Sequence, residues 1–329
     1  ETGLDVWLFD NKFNFDITYY NSTLRNQFLY VSTANGESKP VNTGKIRNYG
    51  LEFSAGYRWN INHDWRWQTG FNFAWNDNRI LETYKTESGA PYIVEMGTNA
   101  FKIKYIEGGR YGDIYVNSFA RDENGHIKIN GAGDYENAVP VMESGKYETY
   151  VGNTTSPVTL GWNNTFSWKN FNLYFLIDGR IGGKVMSLTE PDLDLFGLSE
   201  RSAHDRLKGE RVTQNGKEYV LKELPDGSGN KVPVENYYTT IGAYPMEDHV
   251  YNATNLRMRD ISLSYNFSNL LGKNTGLTAQ FSIKNAFFIY KDSPIDPDIS
   301  VSAANGYSGI DCYSLPTTRS YALTLKFNF

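Results

Sequence analysis

Apolar and polar side chains alternate along stretches of about ten residues in this chain, and a two-residue period admits extended strands but not helices. In the final segment, one face carries Tyr321, Leu323, Leu325, Phe327 and Phe329. The residues between them are Ala, Thr, Lys and Asn. Similar alternation begins near residues 13, 51, 65, 159, 171 and 277. The pattern predicts an all-β protein with about nine long antiparallel strands.

Two kinds of β protein have strands with one apolar and one polar face: the soluble β-sandwich and the transmembrane β-barrel. A strand needs roughly 9–11 residues to cross a bilayer obliquely, and these segments reach that length. Aromatic residues also gather at strand ends, with Trp59, Trp65 and Trp67 around one predicted turn and Trp168 and Phe171 around another. Such positions suit the aromatic girdle of a barrel better than a sandwich core. We therefore predict an antiparallel transmembrane β-barrel.

The composition agrees with this fold and excludes several classes of protein. The 24 Tyr, 19 Phe and 30 Gly favour strands and turns over helices. Mean hydropathy is −0.51 and no eighteen apolar residues run together, so the sequence contains no transmembrane helix. A net charge of −5 has the wrong sign for a nucleic-acid-binding protein. Cys312 is the only cysteine, which excludes an internal disulfide and a multi-cysteine metal site.

Short and long connections alternate between the predicted strands. The short ones lie near residues 10–11, 60–64, 169–170 and 268–276, and the long ones cover about 22–43, 79–156, 183–253 and 291–317. Outer-membrane barrels have short periplasmic turns and long extracellular loops. We therefore predict that the short turns face the periplasm and that the four long loops are extracellular.

This orientation also bears on how much of a barrel the chain supplies. The first strand, near residues 2–9, and the last strand both descend toward the periplasm, so the number of strands is odd. Bacterial single-chain barrels have an even number, and a further hairpin within 79–156 would leave the count odd. Together with the absence of an initial Met, this predicts that residues 1–329 are the C-terminal portion of a larger barrel.

Short motifs in a fixed order also run along nearly the whole chain. They are residues 3–5 (GLD), 9–12 (FDNK), 16–20 (DITYY), 48–53 (NYGLEF), 152–153 (GN), 255–265 (NLRMRDISLSY), 284–287 (KNAF), 296–298 (DPD) and the ending 316–329. In these motifs the chain resembles the C-terminal barrel of SusC-like TonB-dependent transporters of Bacteroidota. Thr154 stands where this family usually has Pro, and Thr317 with Thr318 lengthens the approach to Arg319. Both departures affect loops.

The resemblance implies a roughly 22-stranded outer-membrane barrel with an N-terminal plug that these residues do not include. It also implies two partners, a SusD-like surface lipoprotein and the TonB–ExbB–ExbD complex, and no cofactor. The expected function is active import of oligosaccharides, with oligopeptides as the alternative because a fold does not specify a cargo. A passive porin and a barrel enzyme remain as further alternatives.

An enzyme is not expected, because His63, His126, His204 and His249 lie in predicted turns or loops and no catalytic motif accompanies them. We interpret these histidines as solvated. Residues 122–126 resemble a calcium loop in part, but Asn124 and Gly125 favour a hairpin turn.

The remaining candidate residues follow from a transport function. The predicted lumen-lining residues are Glu52, Arg58, Arg66, Asp178, Arg180, Asp260 and Lys284. Tyr237, Tyr238 and Tyr244 are the predicted ligand contacts, because sugar rings stack on aromatic side chains in loops. Phe327 and Phe329 form the C-terminal end expected to direct barrel assembly. No metal site is expected, with Asp292, Asp296 and Asp298 as weak calcium candidates in a proline-rich turn.

Overall fold

The computed structural model describes residues 1–32, 38–86, 88–143, 145–243, 247–268, 275–301 and 308–328. Its main element is one antiparallel sheet of nine long strands. In chain order these are β1 (Thr2–Leu8), β2 (Phe13–Ser32), β3 (Ser38–Asn60), β4 (Trp65–Glu82), β5 (Val158–Trp168), β6 (Phe171–Ile181), β7 (Asn255–Ser268), β8 (Gly276–Lys291) and β9 (Ser320–Asn328).

Each strand pairs with the next one along the chain, so the sheet is a meander with β1 and β9 at its edges. The short connections therefore lie at one end of the sheet and the long connections at the other. β4 pairs directly with β5, from Trp65 opposite Trp168 to Trp75 opposite Val158. The long connection between these two strands thus adds no strand to the sheet, and the nine strands match the prediction.

The strand registers align apolar side chains in rows across the sheet. One row runs through Leu173, Leu263, Phe281 and Leu323, each opposite the next. A second row consists of Ile17, Phe53, Phe73 and Leu160. Leu323 is 71% exposed and Phe281 is 48% exposed. The apolar face of the sheet therefore points outward, as the lipid-facing side of a barrel requires.

Aromatic side chains form a belt near the short turns. Trp65 stacks on Trp168 with ring centroids 5.6 Å apart, and Trp168 stacks on Phe171 at 6.0 Å. Phe171 meets Tyr265 edge to face at 4.5 Å, so the belt spans four strands. Neighbouring strands bring these rings together because the aromatic residues occupy matching register positions.

The segment 22–43, predicted to be a long loop, is mostly strand. β2 and β3 remain paired from Phe13 opposite Tyr57 to Ser32 opposite Ser38. The hairpin continues far beyond β1, where Thr2 lies opposite Tyr19. The prediction was wrong because polar residues such as Asn and Thr read locally as loop, yet they extend a strand when a partner supplies the ladder of hydrogen bonds.

The other three long connections fold together at the same end of the sheet into a unit here called the cap, which comprises the described residues of 83–157, 182–254 and 292–319. It contains the helices α1 (Thr189–Leu195), α2 (Glu200–Lys208) and α3 (Val234–Gly242) and a 3₁₀ turn at Glu247–His249. Within the described part of the chain, no helix combines the length and the apolar character needed to cross a membrane.

Short strands form small sheets within the cap. A four-stranded sheet contains Val94–Gly97, Lys102–Tyr105, Asp113–Val116 and Thr149–Asn153. Two three-stranded sheets contain Glu210–Gln214, Lys217–Glu223 and Lys231–Pro233, and Lys184–Ser187, Val250–Asn252 and Ile310–Asp311. Two-stranded pairs join Ser118–Phe119 to Met142–Glu143 and Ile129–Asn130 to Val139–Pro140.

Two hydrophobic clusters hold the cap together. One includes Phe119, Val232 and Ile241 and joins the first two of its connections. The other includes Ile114, Met186 and Ile310 and joins all three. Among the described residues of the nine long strands, only Ile80 and Ala286 count among the buried hydrophobic side chains. The dry core of the protein therefore lies in the cap and not in the sheet.

Candidate functional site: the inner wall and the outer cleft

The polar face of the sheet, here called the inner wall, carries all seven residues predicted to line a lumen. They are Glu52, Arg58, Arg66, Asp178, Arg180, Asp260 and Lys284. Glu52 and Arg180 lie on one row across the strands, with Ala74 and Thr159 between them. Asp260 lies directly opposite Lys284. The inner wall is therefore charged, and its role as the lining of a lumen stays a prediction.

Near the cap the inner wall carries an ion-paired group, here called the arginine cluster. Its members are Arg180, Arg257, Arg259, Asp178, Asp296 and Asp298. Arg259 lies 2.7 Å from Asp178 Oδ2 and 2.7 Å from Asp298 Oδ2. Arg180 Nη2 lies 3.4 Å from Asp298 Oδ1. The pairing of β7 with β8 shifts between Met258 and Asp260, and such an irregularity re-aims the side chain of the residue between them, Arg259.

Arg257 lies at the centre of this cluster and is only 1% exposed. Its Nη2 is 2.6 Å from Asp296 Oδ1 and its Nη1 is 3.2 Å from Asp298 Oδ2. The guanidinium carbon also lies 3.8 Å from the centre of the Phe288 ring. A buried cation needs such partners because its desolvation is otherwise very costly. Burial acts to raise the pKa of Asp296, but hydrogen bonds, chiefly from Thr317, and the charge of Arg257 hold it below the usual range.

The arginine cluster also corrects the weak calcium prediction. Asp296 and Asp298 point at guanidinium groups, which already supply the positive charge that a cation would bring. Asp292 is exposed and forms no ion pair with this cluster within the described residues. Within the described ranges, no group of three or more His, Cys, Asp or Glu side chains is arranged to hold a metal ion.

Residues 122–126 form the predicted hairpin turn. The Asp122 carboxylate accepts the backbone N–H groups of Asn124 and His126, each at 2.9 Å. Arg121 and Ile127 pair across the base of the turn. The acidic residue thus stabilises the turn by bonding its own backbone.

A cavity of about 630 Å³, here called the outer cleft, opens between the cap and the C-terminal end of β8. The cap contributes Glu190, Leu193, Leu198, Glu200, Ile295 and Pro316 to its lining. The strand and the approach to β9 contribute Asn285, Phe287, Phe288, Lys291 and Arg319. β9 pairs with β8 only as far as Ser320 opposite Lys284, so beyond this point that edge of β8 is open to the cleft.

The outer cleft combines apolar surface with charged groups. Glu200, Lys291 and Arg319 form no ion pair within the described residues. Lys291 Nζ donates to the carbonyl oxygen of Pro294 at 3.1 Å, so its positive charge is not neutralised. Glu190 instead lies 3.8 Å from Arg201. Binding sites commonly have such an apolar surface with a few polar groups that orient the ligand.

Tyr237 and Tyr238, predicted to contact ligand, are only 2% and 3% exposed. The Tyr237 hydroxyl donates to Asp248 Oδ2 at 2.6 Å, and the Tyr238 hydroxyl donates to Asp205 Oδ2 at 2.7 Å. Burial and then these carboxylates raise the pKa of both hydroxyls. Both residues border a cavity of about 540 Å³, but little of either ring is exposed to it. Ligand contact by these two residues stays a prediction, and Tyr244 lies outside the described residues.

His249 is also not the solvated residue that its position in a loop indicates. It is fully buried, and its Nε2 lies 2.9 Å from Asp194 Oδ2. Arg201 bonds the same carboxylate. Burial acts to raise the pKa of Asp194, but the hydrogen bonds from His249 and Arg201 hold it below the usual range. The other three histidines keep side-chain exposure and each lies beside an aspartate.

At the C-terminal end, Phe327 lies opposite Leu277 on the outward face of the sheet and is about half exposed. Phe329 lies outside the described residues. The role of these two residues in barrel assembly stays a prediction.

The sequence prediction missed the cluster and cleft residues Arg257, Arg259, Glu200, Lys291 and Arg319. For the arginines a signal was present, because Arg257 and Arg259 share the two-residue spacing of Asp296 and Asp298. This spacing is compatible with charge-assisted pairing of the two segments, but it does not identify the partner segment. The cleft residues carry no comparable signal, since the cleft forms only where distant segments meet.

The chain is similar in sequence to two TonB-dependent receptors. It is 24% identical over 355 residues to TonB-dependent receptor P3 of Formosa agariphila, an alignment that covers 100% of this chain and 34% of the receptor. It is 24% identical over 343 residues to TonB-dependent receptor SusC of Bacteroides thetaiotaomicron, which covers 99% of this chain and 31% of SusC. The chain thus spans about one third of the length of these relatives. No family model matches the chain.

Solved structures share the fold. The RagAB peptide transporter superposes with a TM-score of 0.66 at 17% identity, over 98% of this chain and 34% of that one. The RagAB peptide importer in the 'open-open' state gives a TM-score of 0.65 at 17% identity, over 99% of this chain and 34% of that one. The transmembrane β-barrel fold, the resemblance to SusC-like receptors and the outer-membrane location are therefore confirmed. All these relatives are receptors or transporters by name, which agrees with the expectation of a protein that is not an enzyme.

Proposed function

We propose that this chain, which resembles the C-terminal portion of SusC-like receptors, forms part of the wall and the extracellular cap of a TonB-dependent importer. In this proposal nutrients enter at the cap and pass along the inner wall. The chain spans about a third of its curated relatives, so the energy coupling, the cargo and the partners belong to the proposal.

The observation that carries the proposal is the separation of apolar and polar surfaces. The sheet turns rows such as Leu263, Phe281 and Leu323 outward, and it keeps charged residues such as Glu52 and Arg180 on the inner wall. The buried core lies in the cap. A protein that lies in lipid and conducts polar solutes needs this arrangement, whereas a soluble β-sandwich buries its apolar faces.

Two partners follow from the importer proposal. A SusD-like surface lipoprotein would meet the cap, which lies at the end of the sheet with the long connections. The TonB–ExbB–ExbD complex would act from the opposite end through parts of the protein that residues 1–329 do not include. The relatives support this because they are named TonB-dependent receptors and one is named SusC.

An oligosaccharide is our first proposal for the cargo. The outer cleft offers Phe288 and leucine side chains to the apolar faces of sugar rings and offers Glu200 and Arg319 to their hydroxyl groups. Its volume of about 630 Å³ is within the size range of small-molecule sites, roughly 300–1,000 Å³.

An oligopeptide is the second candidate, and two specific observations favour it. The solved structures that share this fold include one described as the RagAB peptide transporter. The cleft also has charges of opposite sign that no ion pair within the described residues neutralises, Glu200 on α2 and Lys291 and Arg319 on or near the sheet. These charges could bind the two ends of a zwitterionic chain.

The cargo is tested by gentle purification of the full-length protein from its native membrane, followed by mass spectrometry of the retained ligand. We expect oligomers separated by the mass of a sugar residue. Peptides without glycans would overturn the oligosaccharide proposal. The double variant Lys291→Gln with Arg319→Gln should then reduce the retained peptide, while Lys326→Gln, on β9 away from the cleft, should leave it unchanged.

The importer itself is tested by uptake of the identified cargo into cells. Deletion of ExbB should abolish uptake against a concentration gradient. Uptake that continues at the parental rate without ExbB would indicate a passive pore and would contradict the proposal, whatever the cargo.

A further inference from the structure

Residues 293–299, here called the strap, separate two cavities. On one side Pro294, Ile295, Asp296 and Ile299 line the outer cleft. On the other side Asp298 lines a cavity of about 210 Å³ on the inner wall, together with Asp178, Arg180 and Arg259. Displacement of the strap would therefore join the outer cleft to the surface predicted to line the lumen.

Ion pairs hold the strap in this position. Asp296 forms an ion pair with Arg257, and Asp298 forms ion pairs with Arg180, Arg257 and Arg259. Three arginines from β6 and β7 thus bind two carboxylates of the strap. No strand or helix includes residues 293–299. Pro294 and Pro297 restrict the backbone of the strap between its anchor at β8 and Asp298.

The arginine cluster is incompletely satisfied. Arg257 Nε and Asp178 Oδ1 are buried without a hydrogen-bond partner among the described residues. A buried polar network with missing bonds is less stable than a fully bonded one. The free-energy difference between this arrangement of the cluster and an alternative one is therefore smaller than it would be with every bond formed. Arg180 and Arg259 also keep side-chain exposure of 47% and 28%, so solvent ions reach this end of the cluster.

We propose that the strap is a gate between the outer cleft and the inner wall, held closed by the arginine cluster and opened when Asp298 leaves its arginines. The gate itself depends only on residues of this chain. Its place on the path of a cargo rests on the proposed function. The charge of Asp298 is the element that decides between the closed and open positions.

The test uses the full-length protein in outer-membrane vesicles, without cargo, so that its result does not depend on transport. Ser293, 2% exposed on the strap, is replaced in the variant Ser293→Cys, and Cys312→Ser removes the native cysteine of this region. Reaction with a maleimide is followed by mass spectrometry of the peptide that contains position 293. We expect slow labelling, because the closed strap buries this position.

Asp298→Asn should accelerate labelling by roughly ten-fold, because it removes the charge that the three arginines hold. Asp10→Asn is the matched control, since Asp10 is exposed, far from the strap in the chain and makes no ion pair within the described residues, and it should leave the rate unchanged. Asp298→Glu keeps the charge and should restore slow labelling. Equal rates in Asp298→Asn and the parent would overturn the proposal.

Salt provides a second measurement that needs no substitution at Asp298. Because Arg180 and Arg259 are partly exposed, about 1 M NaCl should screen their contacts and accelerate labelling at position 293. Labelling that is insensitive to salt would show that the ion pairs do not hold the strap, even if Asp298→Asn failed to fold. Failure of the importer proposal would instead appear in the uptake experiment.

Discussion

Gly50 shows how a single residue decides the packing of the inner wall. It lies between Tyr20 on β2 and Asn76 on β4, and Asn76 donates a hydrogen bond to the Tyr20 hydroxyl across it. A Cβ atom at position 50 would lie 2.5 Å from Tyr20 Oη and closer still to the carbonyl oxygen of Trp75. Only glycine leaves room for the hydrogen bond between Asn76 and Tyr20. This gives a physical reason for the glycine in the motif at residues 48–53.

Gly50→Ala should therefore destabilise the protein by about 1–3 kcal/mol, the usual cost of overpacking. The carbonyl of Trp75 is part of the strand and cannot turn away as a side chain could. Thermal unfolding of the full-length protein in detergent measures the effect. Gly161→Ala is the matched control, because a Cβ there meets no atom within 4 Å, and it should unfold close to the parent temperature.

Asp194 supplies a prediction about pH. Its carboxyl has a pKa below the usual range in the folded cap, because the bonds from His249 and Arg201 outweigh the effect of burial. A group with a lowered folded pKa stabilises the fold above its unfolded pKa and loses this contribution as the pH falls through the folded value. The cap should therefore become protease-sensitive as the pH falls below about 4.

Limited proteolysis of residues 183–253 across this pH range measures the loss. Asp194→Asn should make the cap less stable at neutral pH and remove the acid-dependent step that this carboxyl contributes. Glu123→Gln, at an exposed position, should keep the parental profile. An unchanged profile in Asp194→Asn would contradict the assignment of the step to Asp194.

At the scale of elements, the cap is a folded unit assembled from segments far apart in the chain. α3 supplies Tyr237, Tyr238 and Ile241 to one hydrophobic cluster, and strand Asp113–Val116 supplies Ile114 to the other. The Tyr238 hydroxyl also meets Asp205 on α2, which Lys222 contacts at 2.6 Å. The tyrosines of α3 thus hold the cap together.

Tyr238→Phe should lower the stability of the cap by about 1.5–3 kcal/mol, because it removes a hydrogen bond to a charged group. Cargo affinity, measured on the folded variant, should be unchanged. Tyr290→Phe serves as the control, since Tyr290 is about half exposed on β8. A large loss of affinity in Tyr238→Phe with an intact cap would instead support ligand contact by Tyr238.

At the scale of the molecule, the two regions place their apolar surface in opposite ways. The cap buries it in two clusters, as a water-soluble protein does, whereas the sheet turns it outward. Exposed apolar side chains are unfavourable in water and favourable in lipid. The outward rows therefore lie on the surface that faces lipid.

This difference predicts unequal effects of one substitution at adjacent positions. Leu263→Arg puts a charge on the outward row, between Leu173 and Phe281, and should cost up to about 2–4 kcal/mol, depending on its depth in the bilayer. Ser264→Arg puts the same side chain on the inner wall, between Asn172 and Gln280, and should cost far less. Unfolding in lipid vesicles compares the two, and equal losses would contradict a lipid-facing outward surface.

The features predictable from the sequence were those carried by local periodicity. Nine strands, their apolar and polar faces and the position of Glu52 or Arg180 on the inner wall all follow from a two-residue alternation, which a sheet preserves whatever its partners are. The turn at residues 122–126 was also predictable, because Asp122 bonds backbone groups within four residues of itself. In each case the controlling contact is close in sequence.

Only the tertiary structure decided the rest, because those features depend on contacts between residues far apart in the chain. Arg257 and Asp296 meet across a separation of 39 residues, and His249 and Asp194 across 55. The extension of β2 and β3, the burial of Tyr237 and Tyr238 and the outer cleft depend on partner segments in the same way. No local pattern reveals which distant segment will supply a hydrogen bond, a countercharge or a covering side chain, and these contacts determine whether a polar residue is exposed or buried.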